Sequence, residues 1–242
     1  MKYELETIPI WDAYKEDSEC PLCILAEKAE AEYLKFFLGN SVMVPEMRVE
    51  VNKTGFCPRH YTNLFNTRKN RHGLGLVSHT YLKEQLQELE KLHSKLSVDK
   101  KQRGEALKKS VQKFNDTLRQ KTESCMICDR VDYTLKRYSF TIVYLWKKDP
   151  EFRETFNASK GFCLKHVPEI TKMAGEVHSG KQYSQLISEV ARLQQQSLER
   201  LEPEISWFTQ KFDFQNDQKP WGTSKDALHR LVQKLTGIIQ RD

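Results

Sequence analysis

Residues 20–60 read CPLCILAEKAEAEYLKFFLGNSVMVPEMRVEVNKTGFCPRH, and residues 125–166 read CMICDRVDYTLKRYSFTIVYLWKKDPEFRETFNASKGFCLKH. Each stretch opens on a CxxC pair and closes on GFCxxH. Aligned from the first cysteine, Tyr33 falls on Tyr138, Pro45 on Pro150, Glu46 on Glu151, Arg48 on Arg153 and Asn52 on Asn157. One inserted residue then brings Gly55, Phe56, Cys57 and His60 onto Gly161, Phe162, Cys163 and His166. These identities take in all six cysteines of the chain. A pattern of this kind marks an internal duplication.

Three thiols and one imidazole per copy are a ligand set of closed, tetrahedral structural zinc. The expectation is therefore two Zn2+ per chain, one held by Cys20, Cys23, Cys57 and His60 and the other by Cys125, Cys128, Cys163 and His166. Each site would be complete within its own repeat, since nearly equal spacing lets every ligand be satisfied without crossing between halves. Pro21 and Pro58 follow the first ligand of their pairs, where proline suits the first position of a helix. The leading cysteine then sits near the N-cap, and a ligand three residues on shares its helical face, so that each pair forms a two-toothed clamp. The positive helix end favours thiolate there. The same ligands could hold iron–sulfur clusters, because His can replace Cys in such sites. A redox dithiol accounts for each CxxC alone but leaves the paired CxxH unexplained.

Composition sets the frame around these pairs. Only 18 of 242 residues are Gly or Pro, which argues against a sandwich, a barrel or a disordered chain and for an all-α protein. No apolar run approaches the ~18 residues of a membrane span, and the opening segment MKYELETIPIWDAYKEDSEC carries no apolar signal, so the cytoplasm is the expected compartment. Thirty-nine basic and 33 acidic residues give a net charge of +6. Nucleic acid is not indicated by so modest an excess, and no membrane role is expected.

Helical periodicity fills the intervals. A short helix is expected over 9–17. An apolar face through Ala26, Ala29, Tyr33 and Phe37 ends near Gly39-Asn40, and a short helix starts at Pro45-Glu46. In the second copy Val131, Leu135, Tyr138, Ile142 and Leu145 share one face, so the aromatic run 138–146 reads as helix, and Pro150-Glu151 opens the next helix. Leu82, Leu86, Leu89, His93 and Leu96 predict an apolar seam on a long helix from about 75 to 98, in which His93 reads as a half-buried residue and not a ligand. Lys100, Lys101 and Arg103 mark a loop between repeats. Leu107, Val111, Phe114 and Leu118 follow on another helix. Tyr183, Leu186, Ile187, Val190, Leu193 and Leu201 line a second long helix that Pro203 is expected to bend or restart. The organisation expected is a first repeat over 1–99, a second over 104–212 and a C-terminal extension over 213–242.

In the extension, Trp207, Phe208, Phe212, Phe214 and Trp221 are expected to glue the tail across the helical core, the sharper alternative being a ligand cleft. A last helix should be capped at Thr223 or Ser224 and end near Gly237. Lys225, Asp226 and His229 are polar neighbours on it without a nameable nucleophile or base. Arg68, Lys69, Arg71 and His72 form a basic turn that reads as solvated surface with phosphate as the alternative. GLGL at 73–76 lacks the third glycine and preceding strand of a dinucleotide fingerprint. Ser78 and His79 are adjacent in sequence, which does not make a nucleophile and its base.

CPLC with GFCPRH, CMIC with GFCLKH, NRHGLGL, LWKKDPEFRETF and the closing PWGTSKDALHRLVQKLTG together resemble an uncharacterised bacterial family, a domain of unknown function found largely in anaerobes. The resemblance runs over nearly the whole chain and supports the importance of the eight ligand residues. Members are sometimes labelled as transporter substrate-binding proteins, and the resemblance supplies no catalytic residue. The function expected is a metal-stabilised helical binding or adaptor protein with an unidentified protein or small-molecule partner. The alternative is an iron–sulfur or thiol redox protein, enzymes included.

Overall fold

A computed structural model describes residues 6–96 and 103–239. Eleven α-helices occur among them: α1 (Thr7–Lys15), α2 (Pro21–Leu38), α3 (Pro45–Thr54), α4 (Pro58–Asn66), α5 (Arg71–Leu96), α6 (Glu105–Glu123), α7 (Met126–Lys148), α8 (Pro150–Ala158), α9 (Val167–Val177), α10 (Gly180–Gln210) and α11 (Ala227–Thr236). No strand occurs among the described residues, so the all-α expectation holds. The run 138–146 is helical, inside α7. Lys100 and Lys101 lie outside the described residues.

The chain divides into two compact units, one comprising residues 1–28 with 133–242 and the other residues 29–132. These boundaries fall inside α2 and α7, whereas the boundary between the sequence repeats falls near residue 100.

In the unit of residues 29–132, Phe37, Val42, Val51, Phe56, Leu64, Leu74, Val77 and Ile127 form a buried cluster. Phe56 stacks edge-on against Phe37 and Tyr61 at 5.2 and 5.4 Å. Gly55, at φ +67°, turns the chain from α3 into this core, and a Cβ there would strike the Tyr81 ring at 2.7 Å. Both conditions require glycine. The expected seam on α5 is displaced: Leu82 and Leu86 are 55% and 61% exposed, and Gln85 and Leu92 are buried in their place. Leu74 and Val77 anchor the start of the helix in the core, and their phase, continued at 3.6 residues per turn, turns Leu82 and Leu86 outward. His93 is exposed and meets the Phe114 ring at 5.4 Å.

In the other unit, Phe152 and Phe156 of α8 are fully buried. Trp11 and Tyr14 of α1 pack edge-on against Phe152 at 5.3 and 5.1 Å. Leu186, Val190, Leu193 and Leu201 form the buried stripe of α10. That helix runs through Pro203 unbroken, against the expectation of a restart. Ties on both sides of the proline hold it: Leu201 is buried, Arg200 grips Glu19, and Glu204 pairs with Arg230 of α11. The last helix starts later than expected, after a 3-10 turn at Gly222–Ser224, and ends on Gly237 in the left-handed conformation.

Glu189 of α10 accepts from the Trp146 indole at 2.7 Å and pairs with Arg153. Burial would raise its pKa, but Arg153 and Trp146 outweigh burial and hold the carboxyl below its usual range. A depressed carboxylate contributes stability above its unfolded pKa and loses it as pH falls through the folded pKa. Glu189→Gln is therefore expected to cost about 2 kcal/mol at pH 7. The difference from wild type should shrink as pH falls below the ordinary glutamate range and through the depressed pKa of Glu189, as read in denaturant titrations.

Candidate metal centres

Each ligand pair is built by a helix start or a tight turn. Cys57 is the N-cap of α4, followed by Pro58 at its first position, and the Tyr61 amide donates back to the Cys57 carbonyl at 2.9 Å. Cys20 and Cys125 directly precede α2 and α7. The second CxxH departs from the expected helical clamp. Leu164 stands where the first copy has Pro58, and proline comes later, at 168. Helix α9 accordingly begins at Val167. The Cys163 carbonyl instead accepts from the amides of His166 and Val167, both at 3.0 Å, closing the pair as a turn.

All eight sequence-predicted residues gather into two groups of four, but the partners are exchanged. One group is Cys20, Cys23, Cys163 and His166; the other is Cys57, His60, Cys125 and Cys128. The expected sets within single repeats are thus corrected: each CxxC meets the CxxH of the other repeat. Helix length works against closure within a repeat. The 18 residues of α2 rise about 27 Å, and the 10 residues of α3 return at most about 15 Å. The two helices by themselves therefore do not return the CxxH that follows α3 to the CxxC at the start of α2. Each group lies wholly within one compact unit.

Hydrogen bonds fix the exchanged partners in place. In the unit of residues 29–132, the Met126 amide donates to the Gly55 carbonyl at 3.0 Å and the Ser124 hydroxyl to the Thr54 carbonyl at 2.7 Å, joining the start of α7 to the turn before Cys57. In the other unit, Lys234 of α11 is fully buried. Its ammonium donates to the carbonyls of Glu19 at 3.3 Å and Lys160 at 2.6 Å, just ahead of Cys20 and Cys163. Burial pushes the Lys234 pKa down. Arg200 donates to both oxygens of the buried Glu19 carboxylate at 2.6 and 2.7 Å.

The spacings fit one ion per group. Zn–S and Zn–N bonds of ~2.3 and ~2.05 Å at tetrahedral angles put ligand atoms ~3.8 Å apart for S···S and ~3.5 Å apart for S···N. His60 Nδ1 lies 3.3, 3.2 and 3.3 Å from the sulfurs of Cys57, Cys125 and Cys128, and Cys57 lies 3.9 Å from Cys128. His166 Nδ1 lies 3.5, 3.4 and 3.2 Å from Cys20, Cys23 and Cys163, and Cys23 lies 3.5 Å from Cys163. The electrostatics agree. Burial raises the Cys125 thiol, but His60 outweighs it and brings it down to about 6, while burial and the Cys125 charge push Cys128 up to about 12. In the other group, hydrogen bonds from Cys20 and Cys23 lower Cys163, and burial raises Cys20 to about 12. The clusters thus favour thiolate at Cys125 and Cys163 and resist it at Cys128, Cys20 and Cys23. A bound divalent cation would supply the charge that lets all three ionise.

The two groups differ around their histidines. His60 Nε2 faces the Glu30 carboxylate at 3.3 Å, and Arg59 holds Glu30 at 2.9 Å. His166 Nε2 is buried without a hydrogen-bond partner among the described residues. A carboxylate on the outer nitrogen of a ligating histidine orients the ring and raises its basicity. Glu30→Ala is expected to weaken metal binding at the Cys57 group about 10- to 100-fold and leave the Cys20 group unchanged, as read by competition with a chromogenic chelator. Glu30, Lys234 and Glu19 carry no local sequence signature that would have singled them out.

The remaining sequence candidates lie elsewhere. Phe208, Phe212 and Trp221 pack on one another at 5.5–6.3 Å, while Phe212 and Phe214 stand exposed. Lys211 anchors that tail by donating to the carbonyls of Asn216, Asp217 and Lys219, each at 2.7 Å. Asp226 pairs with Arg230 at 2.9 Å. Arg68 and Asn70 in the basic turn adopt positive φ, 56° and 42°. Ser78 and His79 join neither metal-site group.

Over residues 1–242 the chain matches the model of a family described as a family of unknown function, DUF6062. No curated protein and no solved structure matches it.

Proposed function

Because the chain belongs to this family of unknown function along its whole length, its own chemistry must carry the assignment, and we propose that it is a zinc protein in which two Cys3His centres hold a helical scaffold for binding a partner. The observation that carries the proposal is the pair of closed four-ligand groups at tetrahedral spacing, one wholly buried and the other partly so. Four protein ligands leave no vacancy for a substrate water, which is what catalytic zinc requires. An iron–sulfur core would interpose sulfide between its ligands and hold them farther apart than ligands to one ion, so the compact spacing favours zinc. Thiolate ligands require reduced cysteines, which supports a reducing compartment such as the cytoplasm. No helix among the described residues is long and apolar enough to cross a membrane.

Elemental analysis of protein purified without air tests the proposal. Two equivalents of zinc per chain and a colourless solution are expected. Stoichiometric iron and sulfide with visible charge-transfer absorbance would overturn it.

A further inference from the structure

Between α4 and the first turns of α5 lies an open cleft of about 600 Å³, lined chiefly by Tyr61, Phe65, Arg71, Leu74, Gly75 and Ser78. The spacing explains the lining. Tyr61 and Phe65 are four apart on α4, and Arg71, Leu74, Gly75 and Ser78 form one stripe of α5. The walls are aromatic and aliphatic, Tyr61 and Ser78 each bring a hydroxyl, and Arg71 is the one charged side chain in the lining.

Two features point to a ligand. The first is Gly75, inside a 26-residue helix, where glycine is disfavoured relative to alanine. Its neighbour Gly73 has a packing reason, since a Cβ there would fall 2.4 Å from Asn70 and 2.5 Å from Val42. At Gly75 a Cβ would meet nothing within 4 Å. No described residue packs where the side chain would be, and its absence bares the helix backbone at the floor of the cleft. The second is Arg71, whose guanidinium carbon lies 4.0 Å from the Phe65 ring centre and which no carboxylate among the described residues pairs with. Arg68 and Lys69 add positive charge close by in the sequence.

We propose that this cleft binds a small aromatic carboxylate, with its ring between Phe65, Tyr61 and Leu74 above Gly75 and its carboxylate on Arg71. A single planar guanidinium matches a carboxylate through two parallel hydrogen bonds. Apolar walls with one placed charge are the usual character of a small-molecule site. The inference is independent of the metal assignment.

The test uses the full-length, metal-loaded chain and 1-naphthoate in calorimetric titrations, with 1-naphthalenemethanol as the neutral counterpart. Arg71→Gln should weaken naphthoate about tenfold or more and leave the neutral compound within about twofold. A Cβ at Gly75 meets nothing within 4 Å, so Gly75→Leu, which projects a side chain into the cleft, should weaken both compounds about tenfold or more at unchanged metal content and helicity. Absence of naphthoate binding at millimolar concentration would overturn the proposal. So would naphthoate binding that survives Arg71→Gln, or neutral binding that falls equally with it.

Discussion

Cys163→Ala is expected to halve the metal content, from two ions per chain to one, and to unfold one compact unit while the other survives. Hydrogen-exchange protection should be lost across α1 and α8 to α11 and retained in α3 to α5. The magnitude follows from comparing two quantities. Structural zinc contributes on the order of 10 kcal/mol or more of folding free energy in small peptides, whereas a whole domain is stable by about 5–15 kcal/mol. Removing one ligand leaves two buried thiols and the buried His166 with no ion to compensate them, beside Glu19 and Lys234, whose positions depend on the joined ligand turns. Loss of both ions from this single substitution would contradict the independence of the two groups.

A second large effect concerns the order in which metal leaves. All four residues of the Cys20 group are buried, whereas Cys57 and Cys128 of the other group are partly exposed. Thiolate exchange onto a chelator needs access to the sulfur. Release should therefore be biphasic, with the Cys57 group losing its ion at least about tenfold faster, a factor equivalent to roughly 1.4 kcal/mol of activation free energy. Alkylation after the first phase, read by mass spectrometry, is expected on Cys57, Cys125 and Cys128, with Cys20, Cys23 and Cys163 unmodified. Simultaneous labelling of all six would contradict this order.

Much of this architecture was legible in the residues. The proline at the start of α3, α4 and α8, the glycines at 55 and 161 and the spacing of CxxC and CxxH mark local events that local sequence controls. The pairing of those clamps was not legible, because two equal repeats satisfy the same ligand count within a repeat or between repeats. The length of α2 against that of α3 works against closure within a repeat, but nothing in the spacing of the ligands themselves shows it. The seam on α5 failed for a related reason: Leu82 and Leu86 repeat at helical spacing, but the phase of the helix is set upstream by Leu74 and Val77. Lys234 was invisible for a third reason. A lysine in the last turn of an amphipathic helix reads as solvated, and only the arrival of Glu19 and Lys160 carbonyls makes its burial tolerable.

The exchange of ligands between repeats is tested most directly by counting metal in two double variants. Cys57→Ala with Cys125→Ala removes two ligands of one group and should leave one zinc per chain. Cys57→Ala with Cys20→Ala damages both groups and should leave none. If sites were closed within single repeats, the counts would reverse, with none retained in the first variant and one in the second.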